Sequence, residues 1–161
     1  MNKFQHHTLK EYLTQLSRKV PVPGGGSAAA LCGALGAALL SMVAQYSLGR
    51  NSSVAQEKKM QDALSQSERL RHRLTTLVDL DAQAYRRVVK SRGASLARRQ
   101  RALKKAREVP LEICERCYQA ANLAPFLVQS GNPSLLSDVE VAMELLWAAF
   151  RAAKINVEIN Q

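Results

Sequence analysis

A chain of 161 residues is long enough to bury a core as one domain, 1–161, without disulfide or metal staples. Its residues are 47% hydrophobic but only 5% aromatic, which argues against disorder and against a β-sandwich and favours closely packed helices. The formal charge of +10 is concentrated between Arg86 and Arg107, a stretch crowded with Lys and Arg and free of acid, so the rest of the chain is close to neutral.

In chain order, the breakers divide the sequence into five helical stretches. The first runs from about Leu9 to Leu16, behind a terminus holding His6 and His7 that is expected to be loose, and stops before Pro21-Val22-Pro23-Gly24-Gly25-Gly26. Ser27 can cap a second helix that ends near Gly49. The third extends from about Val54 to Lys90, with apolar or small residues at three-and-four spacing through Met60, Leu64, Ser67, Leu70, Leu74 and Leu77. A fourth starts near Ser95, carries Pro110, which should kink it, and is expected to end around Gln129. After the turn residues Ser130-Gly131-Asn132-Pro133, the run Ser137-Asp138-Val139-Glu140 reads as a capping box opening a last helix through Asn156.

Ser27 to Leu48 contains no charged residue and is long enough to span a bilayer. Its Ala, Gly, Ser and Gln content suits burial in protein better than insertion in lipid, so no membrane association is expected. The fold class is therefore all-α: an antiparallel bundle with the uncharged Ala/Gly-rich helix at its centre. One small subunit has difficulty covering such a helix on every side, and a homodimer is the expected solution. Three cysteines, Cys32, Cys114 and Cys117, with no secretory signal before them, argue against a disulfide framework and for a reducing cytoplasm. Cys114-Glu115-Arg116-Cys117 has redox or metal spacing, but no second pair or nearby His completes a tetrahedral site, so no metal is expected and a structural role is favoured.

Four features could carry chemistry. Gly24-Gly25-Gly26-Ser27 leads into a helix N-terminus, where free N–H groups bind anions; equally, the glycines could let two helices approach closely. Asp81 continues the apolar stripe of the third helix from Leu74 and Leu77 towards Ala84 and Val88, which aims a carboxylate at the core, with Tyr85 one turn on. Desolvation would raise its pKa towards the range useful for proton transfer, although a structural Asp bonded to a neighbouring helix end fits the same register. Asp79 falls on the flank beside Thr76 and Gln83 and should be the milder of the two to replace. Asp138, Asn156 and Asn160 frame a seam of Ala142, Leu146, Ala149 and Ala153, where they could line a polar cleft. The Arg86 to Arg107 belt suits phosphates, anionic lipid, a polycarboxylate or simply water.

These segments together resemble the cyclodeaminase domain of formiminotransferase-cyclodeaminase and the related stand-alone methenyltetrahydrofolate cyclohydrolases. The resemblance rests on Pro21 through Ser27 leading into an Ala-rich helix, Asp79 through Tyr85, Arg101 through Pro110, Gly131-Asn132, Ser137-Asp138-Val139 and Asn156 through Asn160. It implies a helical homodimer with a folate cleft at or near the subunit interface and no bound cofactor, a tetrahydrofolate derivative being the substrate. Asp81 matches the family's acidic position and is the candidate proton shuttle. Gly24, Gly25, Gly26, Ser27, Tyr85, Ser137, Asp138 and Asn156 are candidates to hold the folate, and Arg98, Arg101 and Lys105 to meet a polyglutamate tail. Family chains usually continue past the Asn156 segment into another long helix, and their linker between the third and fourth helices is longer than Ser91 to Ala97.

The expected activity is methenyltetrahydrofolate cyclohydrolase or formimidoyltetrahydrofolate cyclodeaminase, with a slight preference for the first because no transferase domain is fused here. A nucleic-acid-binding module built on the basic belt is the rival reading, weakened by the lack of stacking aromatics. A folate-binding protein without turnover is the third, which a chain ending at Gln161 permits.

Overall fold

The computed structural model describes residues 3–50 and 53–159, and among them it contains helices and turns but no strand. Four long helices, α2 (Gly25–Ser47), α3 (Val54–Lys90), α4 (Leu96–Ala121) and α6 (Leu136–Ile159), form the bundle, with short α1 (Leu9–Leu16) and α5 (Ala124–Ser130) beside them. Neighbouring contacts run α2 to α3, α3 to α4, α4 to α6 and α6 back to α2, closing a square of helices. The five expected stretches are present, the fourth being divided at Asn122 and Leu123 rather than continuous to Gln129. Pro125 near the start of α5 explains the division, since it cannot continue the hydrogen-bond ladder of α4. Pro110, in contrast, lies inside α4 without ending it.

The uncharged α2 is central because its small residues let neighbours approach. A β-carbon on Gly36 would lie 2.9 Å from the carbonyl oxygen of Ala142 and 2.8 Å from Leu146 Cγ, so α6 can lie this close only against glycine. Gly25 lies beside Asn156 at the other end of the same pair, which makes α2 and α6 antiparallel. Ser41 hydrogen-bonds Ser67 at 2.9 Å, whereas Gly26 meets Asp81, so α2 and α3 are antiparallel as well. Leu40, Val43, Met60, Leu74, Leu77 and Ile113 fill the fully buried centre. The helix is long and apolar enough to cross a membrane, yet 61% of its apolar window is buried inside the chain.

Two local expectations are corrected. The box at Ser137 does not cap α6, because that helix begins at Leu136, directly out of a 3-10 turn at Pro133–Leu135. Asn132 caps that turn, its side chain accepting the Ser134 N–H at 3.1 Å. Nor is the segment holding His6 and His7 loose. Phe4–His6 form a 3-10 turn, the His7 ring packs edge-on against Phe4, and α1 opens with a capping box between Thr8 and Glu11.

Candidate functional site

Where the first turn of α2 meets the C-terminal third of α3 and the end of α6, a cleft of about 320 Å³ opens to the surface. That volume lies at the lower end of small-molecule sites. Gly24, Gly25 and Gly26 form one wall, Asp81 and Tyr85 project from α3, Asn156 comes from α6, and Pro21, Val22, Ala84, Val88, Ala106 and Ile159 supply the apolar surface. Asn156 is held in place by its own helix, its amide donating to the Ala152 carbonyl at 2.9 Å. Asn160, expected to extend this polar seam, lies outside the described residues.

Asp81 lies on the apolar stripe, as its spacing from Leu74 and Leu77 requires. Burial pushes its carboxyl up to about 6, while the nearby backbone N–H of Ser27 pulls the other way. The group is thus an anion at neutral pH that takes up a proton with little cost. Such a carboxylate can accept a proton from an attacking nucleophile and return it to a leaving nitrogen.

Two neighbours differ from expectation. Asp79, on the flank of the stripe, is covered rather than peripheral: it is 6% exposed, and its carboxylate accepts the Phe4 N–H at 2.6 Å and the Gln5 N–H at 3.3 Å. Helical periodicity cannot show this, because the cover comes from a segment some seventy residues earlier in the chain. Ser27 faces away from the cleft. Its side chain is fully buried and its hydroxyl lies 3.0 Å from the Tyr12 hydroxyl, so only its backbone serves Asp81.

With the cleft in view, comparison with known proteins is direct. The family model described as Formiminotransferase-cyclodeaminase matches residues 8–161. The chain belongs to that family. It is 36% identical over 96% of its length to methenyltetrahydrofolate cyclohydrolase of Methylorubrum extorquens, of which it covers 79%. It is 33% identical to formimidoyltransferase-cyclodeaminase of Rattus norvegicus, aligning over 95% of its own length but 30% of that longer protein. The crystal structure of formiminotetrahydrofolate cyclodeaminase from Thermotoga maritima superposes with a TM-score of 0.93 at 31% identity, covering 97% of this chain and 79% of that one. The family is thus one of folate one-carbon cyclohydrolases and cyclodeaminases.

Not every residue expected from the family pattern lines the cleft. Ser137 and Asp138 open α6, whereas Asn156 is near its end; at 1.5 Å per residue the two sites are roughly 27 Å apart. Within one subunit they cannot share a ligand of ordinary size. Arg98, Arg101 and Lys105 line a second groove with Arg87, Lys90 and Ser91, where the end of α3 meets the start of α4. Lys105, which also borders a neighbouring groove, is tied there to Glu108 at 2.8 Å. The basic residues sit on α4 turns whose inward position, Ala106, is what reaches the Asp81 cleft. Cys114 and Cys117 are core residues; burial pushes the Cys117 thiol up to about 12, far from a reactive thiolate.

Proposed function

We propose that this protein hydrolyses the methenyl bridge of a tetrahydrofolate, with Asp81 as the proton shuttle. The observation that carries the reading is a carboxylate titrating near 6 inside a cleft walled by three glycines. Addition of water to the bridging carbon gives a tetrahedral centre between the two folate nitrogens. Asp81 takes one proton from the attacking water; the carbon–nitrogen bond then breaks, Asp81 returns that proton to the departing nitrogen, and the hydroxyl proton of the tetrahedral centre is released to solvent as the formyl carbonyl forms. Tyr85, Asn156 and the glycine edge hold the pterin side. The relative from Methylorubrum extorquens, matched over most of both chains, supports cyclohydrolase chemistry.

Formimino-tetrahydrofolate is the second reading, favoured by the likeness to the Thermotoga maritima cyclodeaminase. There the same carboxylate would relay a proton from the attacking folate nitrogen to departing ammonia. Incubating the pure protein with methenyl-tetrahydrofolate and following the loss of its absorbance tests the first reading; ammonia release from formimino-tetrahydrofolate tests the second. Turnover of neither would overturn both.

The working unit proposed is a homodimer joined across α2 and α6. On α2, Cys32, Leu35, Leu39, Met42 and Tyr46 recur at three-and-four spacing on the side its own chain leaves open, with Leu35 52% and Tyr46 64% exposed. On antiparallel α6, Val141, Leu145, Ala148, Ala152 and Ile155 continue that surface at the same spacing. A stripe with this seam-like spacing, uncharged along α2, is self-complementary, so a second copy is its occupant. Ser137 and Asp138 could reach an Asp81 cleft only across such a boundary. The Arg87 to Lys105 groove would meet the carboxylates of a polyglutamate tail.

A further inference from the structure

A segment that contributes nothing to the lining of the Asp81 cleft packs beside it. Residues 4–16 meet the bundle near Asp81 through two polar contacts: Asp79 accepts the Phe4 and Gln5 N–H groups, and the Tyr12 hydroxyl lies 3.0 Å from Ser27 Oγ. The Phe4 ring stands edge-on to Tyr12 at 6.2 Å and joins the two contacts. Both lie next to the candidate acid, because Asp79 is two residues before it in α3 and Ser27 follows Gly26, against which the Asp81 carboxylate rests.

We infer that Tyr12 is a positioning residue for the proposed reaction: its hydroxyl pins Ser27, and through Ser27 the first turn of α2 against which the Asp81 carboxylate rests. Three successive glycines leave the chain entering α2 without side chains to anchor it, and glycine imposes little backbone preference of its own. Ser27 is the first residue after them that a neighbour can grip. Its hydroxyl is fully buried, and among the described residues Tyr12 is the partner found for it. The grip has to be firm, because Gly26 and Asp81 are in contact without slack. Tyr12 itself is 4% exposed and is the buried residue of a short helix whose Leu9 and Leu13 are exposed.

The inference rests on Asp81 as the shuttle, and its test separates failure of the positioning from failure of the activity. Around Asp81, α1 presents Tyr12, α3 presents Tyr85, α2 the Ser27 N–H, α6 the Asn156 amide and α4 only Ala106. Burial, with Asp81 and Asp79 nearby, pushes the Tyr12 phenol up, so it is uncharged when Asp81 titrates and Tyr12→Phe removes no charge. In that variant the N–H that favours the charged carboxylate is loosened. Carbon NMR of labelled aspartates in the free protein should show the Asp81 titration moving above its parent position of about 6, and kcat should fall roughly tenfold with KM little changed. Ser27→Ala removes the same contact from the other side, should behave alike, and carries the test if Tyr12→Phe does not fold. The double variant should be no worse than either single one. An unmoved Asp81 titration in the folded variants, or losses that simply add, would overturn the assignment, and the NMR arm decides even if no folate is turned over.

Discussion

The Asp81 carboxylate occupies the space a side chain on Gly26 would need: an added β-carbon would lie 2.6 Å from Asp81 Cγ and closer still to Oδ1. Asp81 and Gly26 therefore form one unit, with the carboxylate resting against bare backbone at the start of α2. Gly26→Ala should push the carboxylate aside without unfolding the protein, since alanine is the better helix former and the displaced group is a side-chain end. Turnover should fall on the order of a hundredfold with an unchanged melting temperature. Normal turnover in this variant would show that the contact is not part of the active geometry.

Replacing Asp81 tests chemistry and stability together. Asp81→Asn should lower turnover on the order of a hundredfold or more while leaving folate affinity nearly unchanged. Because the folded state raises the carboxyl from 3.8 to about 6, the folded protein binds that proton more tightly than the unfolded chain does, and the charged form costs stability. The cost is absent below about pH 4, grows between there and about pH 6, and is complete above it. Asp81→Asn should thus stabilise the protein at pH 8 by on the order of 2–3 kcal/mol and not at all at pH 4. Denaturant unfolding at the two pH values checks the sign; a loss at pH 8 would point to a structural Asp.

Asp79 behaves differently, as its partners dictate. Asp79→Ala should cost about 1–3 kcal/mol, because two backbone donors lose a charged acceptor. Hydrogen exchange of the Phe4 and Gln5 amides should accelerate in parallel. Unaltered protection at those amides would mean that the N-terminal turn is held by something other than this carboxylate.

The basic groove predicts a substrate preference that salt removes. Polyglutamylated folate should bind more tightly than the monoglutamate at low ionic strength, and the difference should shrink as salt rises. Arg101→Glu, in the groove and outside the Asp81 cleft, should abolish the difference and leave turnover of the monoglutamate unchanged. Equal affinity for both folates at low salt would assign the groove to another anion.

Light scattering tests the proposed dimer. The parent chain should have twice the mass of a monomer, and Leu35→Glu, which places charge in the middle of the open α2 stripe, should yield monomers. A parent protein that remains monomeric at micromolar concentration would remove the α2 and α6 face as the subunit boundary.

Much of the fold was legible in the sequence because helices are local objects. The bounds of α1 and α3, the absence of charge along α2 and the position of Asp81 on an apolar stripe all follow from spacing within one segment, and the structure agrees at each. The helix starts at Leu136 and Ala124 were less legible, since an Asn four residues earlier that caps the preceding 3-10 turn and a proline break compete with weaker signals nearby.

What only the tertiary structure decided is which distant residues meet. The flank of α3 looks open along the helix, but the chain's own N-terminus covers it and turns Asp79 into an anchor. Ser27, read as a ligand contact, faces Tyr12, and Ser137 with Asp138 is separated from Asn156 by the length of a rigid helix. Periodicity determines the face on which a side chain lies; what lies opposite that face depends on packing between segments far apart in sequence, and that packing sets the pKa of Asp81 and the walls of its cleft.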